Sequence, residues 1–263
     1  MDPYPTISRL TPLHPAWHAA RHAPHDEHDT LVVLYELAEV IAETPERITE
    51  PSVAAMKLNW WREEIERLAA GEARHPLCKR LADCGPAAGR LAKLADFVDA
   101  QELLLRATPP ADRDALMAQA DRFAVIEQLA ARVCGGTDDD AGMARDTGRF
   151  RFLVETLNRI GAPLRRGRCP LLIEGAGGAR ELLDLPDADF VQRLAPSLAL
   201  ADHLATTPPS RRPALRPARA LHAQARALYK TIRDDPAACR QRRTMLTPLA
   251  LFWHGWKGVL LAK

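Results

Sequence analysis

An all-α fold follows from three features of the sequence. Ala, Leu and Arg, all strong helix formers, dominate it. No segment alternates apolar and polar residues with the period of a strand. Glycines and prolines divide the chain into a succession of segments with helical spacing. No linker-like stretch divides the 263 residues into domains, so the helices read as one compact bundle over 1–263.

Residues 1–29 are rich in Pro and His and read as an irregular lead-in. His14, His18, His22, His25 and His28 within it have no regular spacing and read as surface residues. A helix is predicted over 30–43, with Thr30 as N-cap and Pro45 ending it. The clearest helix is 51–70. Pro51 suits its first turn and Gly71 closes it, and Val53, Met56, Trp60, Ile65 and Leu68 make an apolar stripe. Helices at 76–83 and 87–106 follow, separated by Gly85-Pro86. A long helix at 110–134 ends at Gly135-Gly136. Asp138–Asp140 read as a helix N-cap or a solvated loop before a helix at 141–160, which Gly161 and Pro163 end. A loop at Arg165–Pro170 leads to helices at 187–205 and 214–233, divided by a Pro-rich stretch, and to a last helix over 236–262.

Composition also limits function. A net charge of +2 with 27% charged residues gives no reason to expect a nucleic-acid partner. Five cysteines without a C-x-x-C pair fit a reducing compartment rather than disulfides or zinc. Prolines stand where a signal peptide would be apolar, and no run of about 20 apolar residues occurs; a cytoplasmic protein is expected. The segment 245–262 is apolar apart from His254 and Lys257 and holds two tryptophans. It reads first as the closing helix of the bundle and second as a peripheral membrane contact.

Three segments carry a resemblance. Lys57–Arg62 followed by His75-Pro76 matches an L-x-W-W-R…G…H-P pattern. Thr147–Leu172 aligns without a gap to a longer pattern at Gly148, Leu153, Leu157, Gly161, Arg165, Arg166, Gly167, Arg168 and Leu171. Ala225–Arg243 is similar to the closing A-x-x-L-Y-x-x-I…R helix. On these residues the chain resembles the squalene/phytoene synthase family. That resemblance implies a terpenoid-synthase-like helical bundle with a central cavity. It also implies an ancestral reaction, the head-to-head joining of two prenyl diphosphates, with magnesium held by two Asp-x-x-x-Asp pairs.

Laid on this sequence, the first family pattern begins at Tyr35. Its arginine falls on Glu39 and its aspartates on Ala42 and Glu46, with Pro45 between them. The aspartates of the second pair fall on Arg159 and Pro163, and the preceding glutamine, asparagine and arginine on Phe152, Glu155 and Asn158. A cation at a metal-ligand position opposes magnesium directly. The pattern resembles a non-catalytic branch of the family that includes a mitochondrial complex I assembly factor and bacterial proteins like it, and Glu39–Pro51 has the look of that branch.

The expectation is therefore a protein with no catalytic residues and no cofactor, which binds an isoprenoid, a lipid or a protein partner. Candidate ligand-binding residues are Tyr35, Trp60, Trp61, Arg62, Arg165, Arg166 and Arg168. For the tryptophans, the core reading weighs more than a cavity lining, one ring in the core and one at the rim. The arginines read equally as diphosphate clamps or as caps on a helix C-terminus. His75 reads as a residue that caps or ends a loop. Arg159 could pair with Glu43 or Glu46, a salt bridge in place of a metal bridge. The enzyme alternative keeps magnesium, with Glu36, Glu39, Glu43, Glu46 or Glu155 as relocated ligands. A third alternative is an assembly protein whose cavity is filled by its own side chains, Phe150 and Phe152 among them.

Overall fold

The structure, a computed structural model, describes residues 10–84, 88–175 and 177–260. Among these it contains helices and connecting turns and no strand. The helices are α1 Pro15–Ala20, α2 His28–Arg47, α3 Pro51–Ala69, α4 Pro76–Asp83, α5 Ala88–Leu91, α6 Leu94–Leu103, α7 Arg113–Phe123 and α8 Val125–Val133, then α9 Asp138–Arg159, α10 Gly161–Arg165, α11 Glu181–Asp184, α12 Asp187–Ala205, α13 Arg216–Asp234 and α14 Pro248–Leu260.

Two large hydrophobic clusters, with a small third at Ala131, Ala144, Leu215 and Ala218, make the core. One joins α1–α4 with α6 and α8; the other joins α7, α9, α12 and α13. Helix α9 belongs to the second and also lies along α8 and α13. Its start is fixed by a capping box. Thr137 Oγ1 accepts from the Asp140 amide at 3.3 Å, and the Asp140 carboxylate accepts from the Thr137 amide at 2.9 Å. Asp138–Asp140 are thus the first turn of α9. Phe150, Leu153, Val154 and Leu157 then fall on one buried face at helical spacing.

Several expectations are corrected. Residues 1–29 are not wholly irregular: within the described part, α1 forms and His18 is buried, its Nε2 2.9 Å from the Pro12 carbonyl. Thr30 does not cap α2, because a 3-10 turn at His25–Glu27 leads into the helix earlier. Pro45 does not end α2, which runs on to Arg47. A proline so near a helix end forfeits a single hydrogen bond, to the carbonyl four residues back. Arg166 also supports the end from outside, donating to the carbonyls of Pro45 at 3.1 Å and Glu46 at 2.9 Å.

The stripe of α3 is set one residue away from the expected one. Val53 and Met56 are exposed, and the buried set is Ala54, Leu58, Trp61, Ile65 and Leu68. Both sets contain Ile65 and Leu68, but only the second keeps an unbroken alternation of four and three residues. The segment 110–134 is two helices, α7 and α8, which meet at Ala124 where α9 passes closest. A Cβ at Gly148 would lie 2.5 Å from Ala124 Cα. The segment 87–106 likewise divides into α5 and α6, while Gly85-Pro86 and the first residue of that segment lie outside the described residues. The last expected helix is a 3-10 turn at Pro236–Arg240, an irregular strap over 241–247, and α14, with residues 261–262 outside the described ones. Asn158 holds that strap: its Nδ2 donates to the Thr244 carbonyl at 2.9 Å and its Oδ1 accepts from the Thr244 amide at 2.8 Å.

Two outcomes follow for stability. A methyl group at Gly161 would overlap the Arg240 carbonyl, whereas one at Gly142, also within a helix, meets nothing within 4 Å. Urea titration is expected to show Gly161→Ala destabilised by about 1–3 kcal/mol and Gly142→Ala stabilised by about 0.5–1 kcal/mol. His222 on α13 is buried against Phe150, their rings 5.1 Å apart, and burial pulls its pKa from 6.5 down to about 4. The unfolded chain then binds the extra proton first, so stability falls as pH drops from about 6.5 to about 4. The slope reaches about 1.4 kcal/mol per pH unit, and His222→Gln should flatten it in the same titrations.

Candidate functional site

A cavity of about 350 Å³ opens where the two core clusters meet. Its walls come from the C-terminal end of α2, from α6 and α7, from the second half of α9, from α10 and the loop after it, and from Cys239–Arg243. The interior side is apolar, with Leu104, Phe123 and Phe152; the rings of Phe123 and Phe152 stack at 4.4 Å. Ala42, Glu46, Arg159 and Pro163, far apart in the chain, all line this one cavity.

The polar side is strongly cationic. Seven arginines line it (Arg159, Arg165, Arg166, Arg168, Arg240, Arg242 and Arg243) against two carboxylates, Glu46 and Glu155. Arg159 is hydrogen-bonded to Glu46. Its burial, which alone favours the uncharged form, is outweighed by Glu155, Glu46 and Glu39, so its pKa rises. Gly161 and Arg165 together fix the arginines that follow residue 239. Only a glycine allows α10 to press on the Arg240 carbonyl, and Arg165 donates to that carbonyl at 3.0 Å. Arg240 turns away, toward the carbonyls of Leu183 and Leu185 and the carboxylate of Asp187. Arg242 and Arg243 are exposed and form no ion pair among the described residues. Two buried donors on the wall, Gln101 Nε2 and Arg159 Nε, have no acceptor among the described residues.

Deeper than the cavity, α9 carries Arg151 one turn before Glu155. Arg151 pairs with the buried Glu127 of α8 and, at 3.0 Å, with Glu155. Burial raises the pKa of Glu127 despite Arg151 beside it. Glu39 lies 3.1 Å from His14. Burial would raise its pKa, but His14, Arg151 and Arg159 bring it down to about 2.

The sequence candidates separate into two groups. Arg165, Arg166 and Arg168 reach the cavity. Arg166 also caps the end of α2, and Arg168 approaches the Thr49 carbonyl at 3.5 Å, so the capping role expected of these arginines is met by Arg166. Tyr35, Trp60, Trp61 and Arg62 do not line the cavity. Tyr35 is buried in the core; Trp61 is buried and Trp60 half-buried, with Lys57 Nζ 3.8 Å from the Trp60 ring. Arg62 is held by Asp99 at 2.6 Å and Glu102 at 3.0 Å. The W-W-R…H-P segment is a structural unit. The fully buried Glu64 accepts from the amides of Arg74 and His75 at 2.7 and 2.6 Å, and His75 caps α4 by accepting from Leu77 at 3.2 Å. Gln101, Leu104, Phe123 and Arg240–Arg243 also line the cavity and are not among the sequence candidates. Only the R-x-R-R run closing the third matching segment could have pointed to any of them.

The family model for squalene/phytoene synthase matches residues 17–250. The chain belongs to the squalene/phytoene synthase family. No curated protein matches the chain. The all-helical bundle is consistent with the fold of the family. No helix among the described residues is long and apolar enough to cross a membrane.

The residues around this cavity do not fit magnesium. The ion takes several oxygen ligands in octahedral array. Here Glu46 and Glu155 each hold an arginine, and Glu39 and Glu43 are engaged by His14 and Arg47. Glu36 is 3.9 Å from Arg80. No group of three or more potential ligands occurs among the described residues.

The two ion pairs of α9 should differ sharply when broken. Arg151→Leu leaves the buried Glu127 unpaired and is expected to cost about 3–5 kcal/mol. Glu46→Gln removes a partly exposed partner and should cost under about 1 kcal/mol. Chemical denaturation of both variants checks this.

Proposed function

We propose that this squalene/phytoene synthase family member no longer couples prenyl diphosphates. It binds an isoprenoid or lipid that carries a phosphate or diphosphate head, and it does so without a metal. The observation that carries this reading is the Arg159–Glu46 ion pair. The resemblance puts one metal-binding aspartate of each pair at these two positions, and here a guanidinium and a carboxylate neutralise each other. The remaining guanidinium groups offer paired donors suited to phosphate oxygens. The apolar side, with Leu104, Phe123 and Phe152, suits a hydrocarbon tail. Gln101 Nε2 and Arg159 Nε are donors on the wall that a ligand oxygen would satisfy.

The family's chemistry needs a Lewis acid to draw off diphosphate. Arginines bind the same group but leave its departure unassisted by a metal, so binding without turnover follows.

Calorimetry with a non-hydrolysable farnesyl diphosphate analogue tests this. Binding should be the same with magnesium and with a chelator, and Arg242→Glu/Arg243→Glu should weaken it by about tenfold or more. Loss of binding on chelation would restore the metal-dependent enzyme. No binding under either condition would remove the cavity as an isoprenoid site and leave a protein partner as the reading.

A further inference from the structure

Helix α14 has two unlike faces. Toward α13 it is narrow. A Cβ at Gly255 would lie 3.0 Å from Gln224 Nε2, and one at Gly258 would lie 2.5 Å from Ala223 Cβ. Gln224 donates to the Leu251 carbonyl at 2.9 Å and Arg219 to the Gly258 carbonyl at 2.7 Å. The glycines let α14 settle on α13, where Leu251 is buried and Val259 packs against the core. Most of its other large side chains project outward. Leu249 is 75% exposed, Phe252 and Trp253 are each 50% exposed, and Leu260 is 59% exposed. With Trp256, stacked on Trp253 at 5.5 Å, they recur at three- and four-residue steps along one ridge. Met245, on the strap before the helix, extends the ridge at 62% exposure. Isolated apolar residues are ordinary on a surface, whereas a contiguous ridge of this size marks a contact.

The charge around the ridge selects the contact. From His203 to Lys263 the sequence has twelve Lys and Arg and only two acids, Asp234 and Asp235, a net charge of +10. The whole chain is +2, so the preceding 202 residues carry −8. The near-neutral total conceals a basic C-terminal quarter, in which Arg212, Arg233 and Arg240 pair with Asp140, Asp202 and Asp187 and the other described cations form no ion pair among the described residues. Lys257 lies on α14 itself, Arg242 and Arg243 precede it, and Arg216 is exposed at the start of α13, against which the end of α14 packs.

We infer that the outer face of α14 docks on the surface of an anionic lipid bilayer. Trp253, Trp256 and Phe252 would enter the headgroup layer, and the flanking cations would face lipid phosphates. Tryptophan favours that layer, an amphipathic helix lies in it with its apolar face inward, and nearby cations add attraction to anionic lipid. The inference does not rest on the cavity reading. The two surfaces are nonetheless neighbours. A smaller crevice lined by Leu13, Met245 and Leu251 shares Asn158, Arg159 and Arg243 with the main cavity, so Met245 of the ridge lies near it.

Co-sedimentation with phosphatidylcholine vesicles, with and without phosphatidylglycerol, is the test. Binding is expected only to the anionic vesicles and should weaken as salt is raised. Phe252→Ser/Trp253→Ser, both exposed, should lower vesicle affinity about tenfold or more while the thermal midpoint and any binding of a soluble prenyl diphosphate stay unchanged. Absence of vesicle binding by the native chain, or equal binding by the variant, would overturn the inference. So would light scattering that shows a dimer which the double substitution converts to monomer, since the ridge would then be covered by a second copy.

Discussion

Helices α2 and α9 face each other across a cavity, and the charge between them has to be neutralised. That constraint orders the rest of the site. Along α9, Arg151, Glu155 and Arg159 stand one turn apart and present plus, minus, plus on one face. Glu127 answers the first and Glu46 the last. Each pairing is partly or wholly removed from water, where an unmatched charge is costly. The ladder therefore fixes how α9 sits relative to α8 and the end of α2. It also leaves few carboxylate oxygens uncommitted. The surplus of positive charge around the opening then comes from the turn after α10 and the strap after residue 239, not from α9 itself.

The segments that carry the family resemblance turn out to be devices of the fold. Gly161 admits the Arg240 carbonyl. Gly167 takes φ +72° so that the loop can turn, which lets Arg166 reach back to the end of α2. Glu64 and His75 close the turn between α3 and α4. Such devices remain necessary to any chain that keeps this bundle, whatever its cavity binds. A family match over these residues therefore speaks strongly for architecture and weakly for chemistry.

Much of the architecture was legible. Helices at 76–83 and 187–205 begin and end at residues whose backbone chemistry admits few alternatives, Pro76 and Pro186 among them. Less legible were features decided by tertiary contact. The phase of α3 was ambiguous because apolar residues occur on two adjacent stripes. Pro45 reads as a stop, and only Arg166, about 120 positions later, supports the helix end beyond it. The break at Ala124 exists because Gly148 of another helix presses there. In the site, the Arg159–Glu46 pairing could be anticipated by placing the two family motifs opposite each other. Gln101, Phe123 and Arg240–Arg243 could not, since nothing local distinguishes a residue on a cavity wall from one in a core. Trp60 and Trp61, conspicuous in sequence, follow the core reading, one ring buried and one half-buried, and pack with His75 rather than face the cavity.

Asn158 holds Thr244 through both the Nδ2 and the Oδ1 of its carboxamide, in the manner of one rung of an antiparallel ladder. That rung joins the end of α9 to a strap with no regular structure of its own. The strap carries Arg243 on the cavity side and continues within a few residues into α14 on the outside. Cavity wall and outer helix are consequently tied through one side chain. The tie is two ordinary hydrogen bonds, each worth on the order of 1 kcal/mol.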